Sequence, residues 1–260
     1  MGQASSIDYQ GSAVGNGLSR SLWAEFDEMQ RDKYHLYLDH FLRFPTQTDA
    51  TDVGDWFTNI DTGCSCGPLA SQQGGVMRLA CDATGSDEEV AVTWRDSCQA
   101  VAMITTAGSN KKFWYESRVK LSATTSQSVY VGLAEENCPA DGLLSDGGTG
   151  MDKDFIGFRI LEADPDTFDA VYNTASGTET AATESAQDVV AATWYNLGMY
   201  YDGTKLYYFV DGTCLNWAGV AASADQMPDG EYLAPLFAIK QHEAVAKNLD
   251  VHFVAIGIEL

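Results

Sequence analysis

The stretch that decides the fold lies at residues 193–212, which read TWYNLGMYYDGTKLYYFVDG. Apolar and aromatic side chains occupy every second position on both sides of Asp202-Gly203. These side chains are Tyr195, Leu197, Met199 and Tyr201 in the first run, and Leu206, Tyr208 and Val210 in the second. A two-residue period is typical of a strand with one face on a core. Asp-Gly between two such runs is a strong hairpin signal, so the stretch predicts an antiparallel hairpin, with a second turn at Asp211-Gly212.

The same two-residue period recurs through much of the chain. Residues 113–121 place an apolar set opposite a charged set, and residues 129–133, 156–160 and 252–258 alternate in the same way. The apolar set of the first run is Phe113, Tyr115, Val119 and Leu121, and the last run assigns His252, Val254, Ile256 and Ile258 to one face. Short strands with glycine-rich turns and little helix predict an all-β sandwich of two antiparallel sheets.

Charge and composition exclude several classes of function. The chain carries 37 Asp and Glu against 15 Lys and Arg, a formal net charge of -22. Nonspecific nucleic-acid binding needs an excess of cations, so no nucleic-acid partner is expected. The sequence has no run of 18 apolar residues, so no membrane helix is predicted, and no export signal is apparent at the N-terminus. We therefore expect synthesis in a cytoplasm and six mostly reduced cysteines.

The first 33 residues differ from the rest. Residues 1–17 are polar and glycine-rich, whereas residues 18–33 have apolar side chains at helical spacing, which predicts an N-terminal arm followed by a short helix. The stripe on this helix, interpreted as an interface anchor, consists of Leu18, Leu22, Trp23, Phe26 and Met29. The alternative is that the helix packs on the sandwich and closes its core. The sandwich itself is predicted to span residues 34–260.

Residues 193–212 resemble a signature of the concanavalin A-like sandwich found in laminin-G-type domains, with a Trp-centred strand, a Tyr-Asp-Gly turn and a strand ending in Val-Asp-Gly. Residues 113–121 look like an earlier strand of that fold, and residues 233–238 and 249–253 look like its closing strands. The resemblance implies a jelly-roll sandwich over residues 34–260. It implies little about function, because lectins, hydrolases and structural proteins share this fold.

A narrower resemblance concerns residues 17–24, 112–119 and 131–135, which are similar to virion structural proteins of tailed bacteriophages. It implies a non-enzymatic capsid decoration or cement protein, made in the host cytoplasm and placed on the capsid exterior. The implied partner is the major capsid protein, and the implied assembly is a homo-oligomer, with a trimer favoured. The alternatives are a lectin-like carbohydrate-binding module, or a tail- or fibre-associated protein, with a host-surface glycan as ligand.

No catalytic motif is apparent in the sequence. Residues 25–30 fall one residue short of the Glu-x-Asp-x-x-Glu pattern of sandwich-fold glucanases, because Gln30 stands where the acid would be. The chain is therefore predicted not to be an enzyme. No cofactor is expected apart from a structural calcium ion, for which Asp164, Asp166 and Asp169 are the candidate ligands. The same aspartates also suit a plain turn between two strands.

Tryptophans are the candidate sugar-stacking groups. Trp217, which follows Asn216 on a segment after Val-Asp-Gly, is predicted to be a surface ring that binds a sugar together with Asn216. Trp194 belongs to the fold signature and is predicted to be structural, in the core with Tyr195, Leu197 and Tyr208.

Overall fold

The computed structural model describes residues 22–23, 32–49, 51–53, 55–72, 74–94, 102–105, 110–135, 138, 143–144, 151–175 and 177–260, with backbone alone at 51–53 and 102–103. Every regular element within these ranges is a β-strand. The structure is therefore all-β, as the two-residue period predicted. The helix predicted over residues 18–33 lies outside the described residues except for Leu22 and Trp23, which form a turn.

The first sheet is antiparallel and runs in the order β15-β14-β13-β8-β18-β5-β4, with β1 also paired to β18 and β16 to β14. Its strands are β1 (Tyr34–Asp39), β4 (Cys64–Pro68), β5 (Met77–Cys81), β8 (Phe113–Leu121), β13 (Trp194–Tyr201), β14 (Lys205–Val210), β15 (Thr213–Cys214), β16 (Val220–Ala221) and β18 (Lys247–Glu259). The predicted hairpin over residues 193–212 is β13–β14, in which Leu197 pairs with Val210 and Tyr201 with Leu206.

The second antiparallel sheet runs in the order β12-β11-β10-β9-β17-β6-β3-β2, with β7 also paired to β17. Its strands are β2 (Thr51–Val53), β3 (Trp56–Ile60), β6 (Glu89–Trp94), β7 (Ala102–Met103), β9 (Gln127–Glu135), β10 (Phe155–Leu161), β11 (Asp164–Asn173), β12 (Thr180–Asp188) and β17 (Tyr232–Gln241). Together the two sheets form the predicted sandwich, whose strands run from Tyr34 to Glu259.

The core lies between the sheets and is built from the alternating side chains. Phe113, Tyr115, Val119 and Leu121 are all buried there, and so are Tyr195, Leu197 and Tyr208. Complete burial of a large apolar side chain contributes roughly 1.5–3 kcal/mol, so this face supplies most of the driving force for folding. The five cysteines that the structure describes are buried free thiols: Cys64, Cys66, Cys81, Cys138 and Cys214.

Strand β18 changes partner halfway along one edge. Its first half pairs with β5, and its second half pairs with β1. A β-bulge interrupts its pairing with β8 at this point, because Val251 pairs with Val119 while Phe253 pairs with Arg118. The extra residue, His252, therefore leaves the alternation, and its ring lies beside Trp194. The prediction that His252 shares the face of Val254 was wrong for this reason.

The space at the partner change is filled by two turns. Phe41 directly after His40 has φ 55, and Gly75 has φ 78. A Cβ atom at Gly75 would meet the His40 carbonyl oxygen, so the two turns approach more closely than a side chain allows. The junction places His40 next to His252, with 5.7 Å between their ring centroids.

Leu22 and Trp23 lie on the outer face of the first sheet and are 2% and 0% exposed. They pack in one cluster with Trp114, Phe209 and Phe253. The Trp23 indole N–H donates to Glu116 Oε2 over 2.8 Å. For these two residues the packing alternative describes the structure, because their side chains are covered by their own chain. Leu18, Phe26 and Met29, the other members of the predicted anchor, lie outside the described residues.

Residues 174–188 and 137–152 are polar and predict exposed loops, but the described parts of both segments pack on the sandwich. Residues 174–188 contain the edge strand β12, which pairs with β11. Within residues 137–152, Cys138, Leu144 and Met151 are buried against the outer face of the second sheet. In the described part of the chain, no helix is long and apolar enough to cross a membrane.

Candidate functional site

Trp217 is the most exposed of the large hydrophobic side chains that the structure describes, at 79%. It sits on a short loop between β15 and β16 that is tied to β14. The Asn216 side chain accepts a hydrogen bond from the Tyr208 backbone N–H over 2.8 Å, and Lys205 Nζ donates to the Ala218 carbonyl over 2.8 Å. The loop is thus fixed while its indole ring points into solvent. An exposed ring on a fixed loop suits stacking on an apolar ligand face.

Asn216 holds the Trp217 loop on β14. Its Oδ1 accepts from the Tyr208 N–H, and its Nδ2 donates to the Leu206 carbonyl over 3.4 Å. Asn216 is therefore a positioning residue for Trp217 in this structure. These bonds use one acceptor site and one of the two N–H donors of the amide, so sugar binding by Asn216 stays a prediction.

The predicted calcium ligands do not form a common site. Asp164 and Asp166 accept hydrogen bonds from the Thr167 hydroxyl at the start of β11. The Asp169 carboxylate binds the Arg159 guanidinium and accepts from the Ser185 N–H instead. In the described ranges, no group of three or more His, Cys, Asp or Glu side chains is placed to hold a metal ion. The turn between β10 and β11 lies at residues 162–163, so the predicted turn over residues 164–169 was placed too late: Asp164 and Asp166 belong to β11, and Asp169 belongs to an ion pair.

A second surface lies on the outer face of the first sheet, around Trp194, which the sequence predicted to be a core residue. Trp194 is half-buried there, and its ring faces cations from β8: Lys120 Nζ lies 4.7 Å and Arg118 Cζ lies 5.4 Å from the ring centroid. The centroid of the His252 ring lies 5.9 Å from that of the Trp194 ring. The prediction that Trp194 is a core residue was therefore wrong. We define the Trp194 patch as Trp194, Arg118, Lys120, His252, His40 and Arg78.

One carboxylate lies in the Trp194 patch. Asp250 is 2% exposed and accepts from Arg78 Nε and Nη2 over 2.6 and 2.9 Å. Lys120 Nζ lies 3.0 Å from its second oxygen. Arg118, by contrast, has no ion pair with any carboxylate in the described part of the chain. Three full positive charges thus face one negative charge, on a chain of net charge -22.

Both histidines of the patch favour their neutral form. Burial lowers the pKa of His40, and burial together with the nearby Arg118 charge lowers the pKa of His252. The His40 Nδ1 atom is buried and has no hydrogen-bond partner. At neutral pH the histidines therefore add no charge to the patch.

The outer face of the second sheet carries charges that neutralise each other. Arg159 on β10 contacts Asp169 and Glu179, with 3.3 Å between Arg159 Nε and Asp169 Oδ2. The Tyr130 hydroxyl donates to Glu179 Oε2 over 3.0 Å. These two carboxylates are engaged by a cation, which differs from the free carboxylate pair that glycoside hydrolysis requires.

Glu89, on the same outer face, is a buried carboxyl whose burial raises its pKa to about 7. Its Oε2 accepts the Leu144 N–H over 2.8 Å, and Lys240 Nζ donates to the Leu144 carbonyl over 2.9 Å. Glu89 and Lys240 thus hold the 143–144 segment against the sheet. A carboxyl of raised pKa is also what a general acid needs, but Glu89 is only 5% exposed.

The raised pKa of Glu89 predicts a pH-dependent stability. A folded-state pKa above the unfolded value means that stability is fully present below about pH 4.5 and is lost as pH rises through about 7. The Glu89→Gln variant lacks this titration and can still accept the Leu144 N–H. Between pH 5 and 8 the wild type should lose about 1–3 kcal/mol of unfolding free energy relative to Glu89→Gln, measured by urea denaturation. Parallel pH profiles of the two proteins would contradict the assignment.

A serine, a histidine and an aspartate form a hydrogen-bonded chain at the end of the second sheet. Ser128 Oγ lies 2.8 Å from His242 Nε2, and His242 Nδ1 lies 3.3 Å from Asp87 Oδ1. This order resembles nucleophile, base and orienting acid. However, Ser128 is 2% exposed and the His242 side chain is 1% exposed, so a substrate cannot reach the hydroxyl. In this structure the three hydrogen-bonded side chains connect β9, the end of β17 and the loop before β6.

The comparisons with known proteins identify the fold. No protein-family model matches the sequence, and no curated protein matches it. Among solved structures, peanut lectin shares 11% identity and a TM-score of 0.58, covering 86% of this chain and 97% of the lectin. The laminarinase from Rhodothermus marinus shares 12% identity and a TM-score of 0.55, covering 87% and 99%. The Emp47p carbohydrate recognition domain shares 12% identity and a TM-score of 0.51, covering 84% and 96%.

The protein therefore has the concanavalin A-like jelly-roll sandwich, as predicted. At these identities the similarity shows the fold alone. Two expectations change. The prediction that the chain is not an enzyme is corrected, because this fold also belongs to glycoside hydrolases such as the laminarinase. None of these structures is a phage protein, so the virion assignment, with its capsid partner, trimer and capsid location, stays a prediction from sequence.

Proposed function

We propose that this protein binds carbohydrate, with the Trp217 ring as a stacking platform. The observation that carries the proposal is the 79% exposure of a tryptophan on a loop anchored by Asn216 and Lys205. An indole left in water costs free energy that stacking recovers, and a fixed loop avoids the entropy of ordering it on binding. The lectin and carbohydrate recognition domain among the structures of the same fold support this class of ligand.

The stacking proposal predicts a binding defect without a folding defect. Trp217→Ala should weaken binding of the best glycan from an array at least tenfold, because the ring supplies most of the apolar contact. Its melting temperature should stay within about 1 °C of the wild type, since a side chain this exposed packs on little. Titration calorimetry and thermal unfolding measure the two effects.

Tyr232 provides the matched control. It is a second exposed aromatic, at 55%, on β17 of the other sheet, so Tyr232→Ala should leave glycan affinity unchanged. Equal affinity of wild type and Trp217→Ala would refute the stacking role. The same glycans should be assayed for new reducing ends, because the fold is shared with a laminarinase. Release of reducing ends would add hydrolysis to binding.

A further inference from the structure

We propose that the Trp194 patch is a second, separate binding site, specific for an acidic saccharide. The inference rests on the proposed carbohydrate binding and names a ligand class and a surface for it. A sugar ring would stack on Trp194, and the ligand's carboxylate or sulfate would bind Arg118, supported by Lys120 and His252.

The composition of the patch points to an anion. Arg118 is the cation of the patch with no carboxylate partner among the described residues, whereas Asp250 already holds Arg78 and Lys120. Guanidinium groups bind carboxylate and sulfate through two parallel hydrogen bonds, which makes an arginine without an acidic partner a selective anion receptor. His40 Nδ1, which is buried where β18 changes partner, has no hydrogen-bond partner in the structure.

The geometry of the patch points to a sugar rather than to a bare anion. The Arg118 and Lys120 head groups lie over the Trp194 ring, because Trp194 pairs with Lys120 and Asn196 pairs with Arg118 across β13 and β8. A ligand with one apolar face and one negative group at its edge matches this pair of features. A hexuronic acid or a sulfated hexose has both.

The size of the patch sets the length of the ligand. It crosses β13, β8, β18 and β5, which are consecutive in the sheet. Three strand spacings of about 4.8 Å give a width of about 14 Å, enough for two or three sugar rings. Longer polyanions such as nucleic acid would extend onto the rest of a chain of charge -22 and would be repelled.

The partner change of β18 builds this site. The bulge at His252 brings that ring to the surface, and the turns at His40 and Gly74 lie against it, with His252 Nε2 3.1 Å from the position of a Cβ atom at Gly74. A regular strand would instead point residue 252 along the alternation of its neighbours. The irregularity therefore supplies one side of the Trp194 patch.

The test compares trigalacturonate with neutral galactotriose by titration calorimetry at low and high salt, with inorganic sulfate as a third probe. The wild type should bind the acidic trisaccharide at least tenfold more tightly, and the preference should shrink at 1 M salt because charges are screened there. Arg118→Gln and Trp194→Ala should each reduce acidic-trisaccharide affinity about tenfold or more while the folded state persists.

Two variants serve as matched controls. Lys111→Gln removes one positive charge near the opposite end of β8 and should leave the affinity unchanged. Trp217→Ala should also leave it unchanged, since the two rings belong to separate sites. Loss of affinity in Lys111→Gln equal to that in Arg118→Gln would overturn the proposal, because net charge alone would then explain the binding.

The remaining outcomes separate this inference from the proposed function. Binding of neutral glycans that depends on Trp217, without preference for the acidic trisaccharide, would overturn the acidic site and leave the proposed function intact. Binding of sulfate with no added affinity from the sugar would overturn the saccharide assignment. Binding of no glycan at all would overturn both proposals.

Discussion

Trp23→Ala is expected to lower the free energy of unfolding by about 3–5 kcal/mol, the usual effect of deleting a large buried aromatic side chain. Trp23 is fully buried on the outer face of the first sheet, among Trp114, Phe209 and Phe253. Its N–H also donates to Glu116, a carboxylate that is 0% exposed and also accepts from Asn196 Nδ2 over 3.1 Å. The variant removes both an apolar cover and a hydrogen-bond donor.

Urea denaturation measures this effect, and two further variants dissect it. Trp23→Phe keeps an aromatic ring and loses the N–H, so its destabilisation should be about 1–3 kcal/mol, the cost of leaving a buried acceptor short of a donor. Trp217→Ala removes the same ring type from an exposed position and should be near neutral. If Trp23 served only to bind another molecule, Trp23→Ala would unfold at the wild-type urea concentration.

Arg159→Met is expected to destabilise the protein by about 3–5 kcal/mol, because two carboxylates would lose their shared cation. The side chains of Asp169 and Glu179 are 13% and 3% exposed, and both contact the Arg159 guanidinium. Methionine has a similar length and keeps the packing of the stem, so the loss reports mainly the charge. Glu179 would retain only the Tyr130 hydroxyl as a donor among the contacts described above.

Arg159→Lys and Arg43→Met complete this experiment. Lysine keeps the positive charge without the two-pronged geometry, so its destabilisation should be smaller than that of methionine. Arg43 is exposed, and Arg43→Met should be close to neutral. Surface substitutions usually change the free energy of unfolding by less than about 0.5 kcal/mol. If Arg159→Met and the wild type differ by no more than this, the carboxylates are solvated.

The sequence was sufficient for the fold because core-facing apolar side chains alternate along the strands that form its hairpins. The hairpin β13–β14 follows from seven alternating apolar residues and from one Asp-Gly turn, in which Gly203 has φ 94. Strand β12 was missed because Thr180–Asp188 is polar: as an edge strand it buries only a few small side chains, such as Ala182 and Ala186.

The exposure of Trp217 was predictable from the sequence, and the Trp194 patch was not. Trp217 follows a turn signal, so its exposure could be inferred from its position in the chain. The Trp194 patch joins residues from five separate segments, and one of them, His252, reaches it only through a bulge. A two-residue alternation does not indicate where a strand contains an inserted residue. A single sequence also does not show that residues 118 and 253 pair across two strands. Trp194 was assigned to the core because an aromatic residue in a fold signature usually packs inside.

The topology has a consequence for synthesis on the ribosome. The last two strands, β17 and β18, are central in the second and first sheet, respectively, and each joins two groups of earlier strands. Until residue 259 has left the exit tunnel, β1 has no partner to pair with and β8 is separated from β5. Nascent chains would therefore expose unpaired strand edges and apolar faces, which favour aggregation, until translation has passed these residues. Deleting ten residues from the C-terminal end should thus abolish folding of the first sheet instead of trimming its edge.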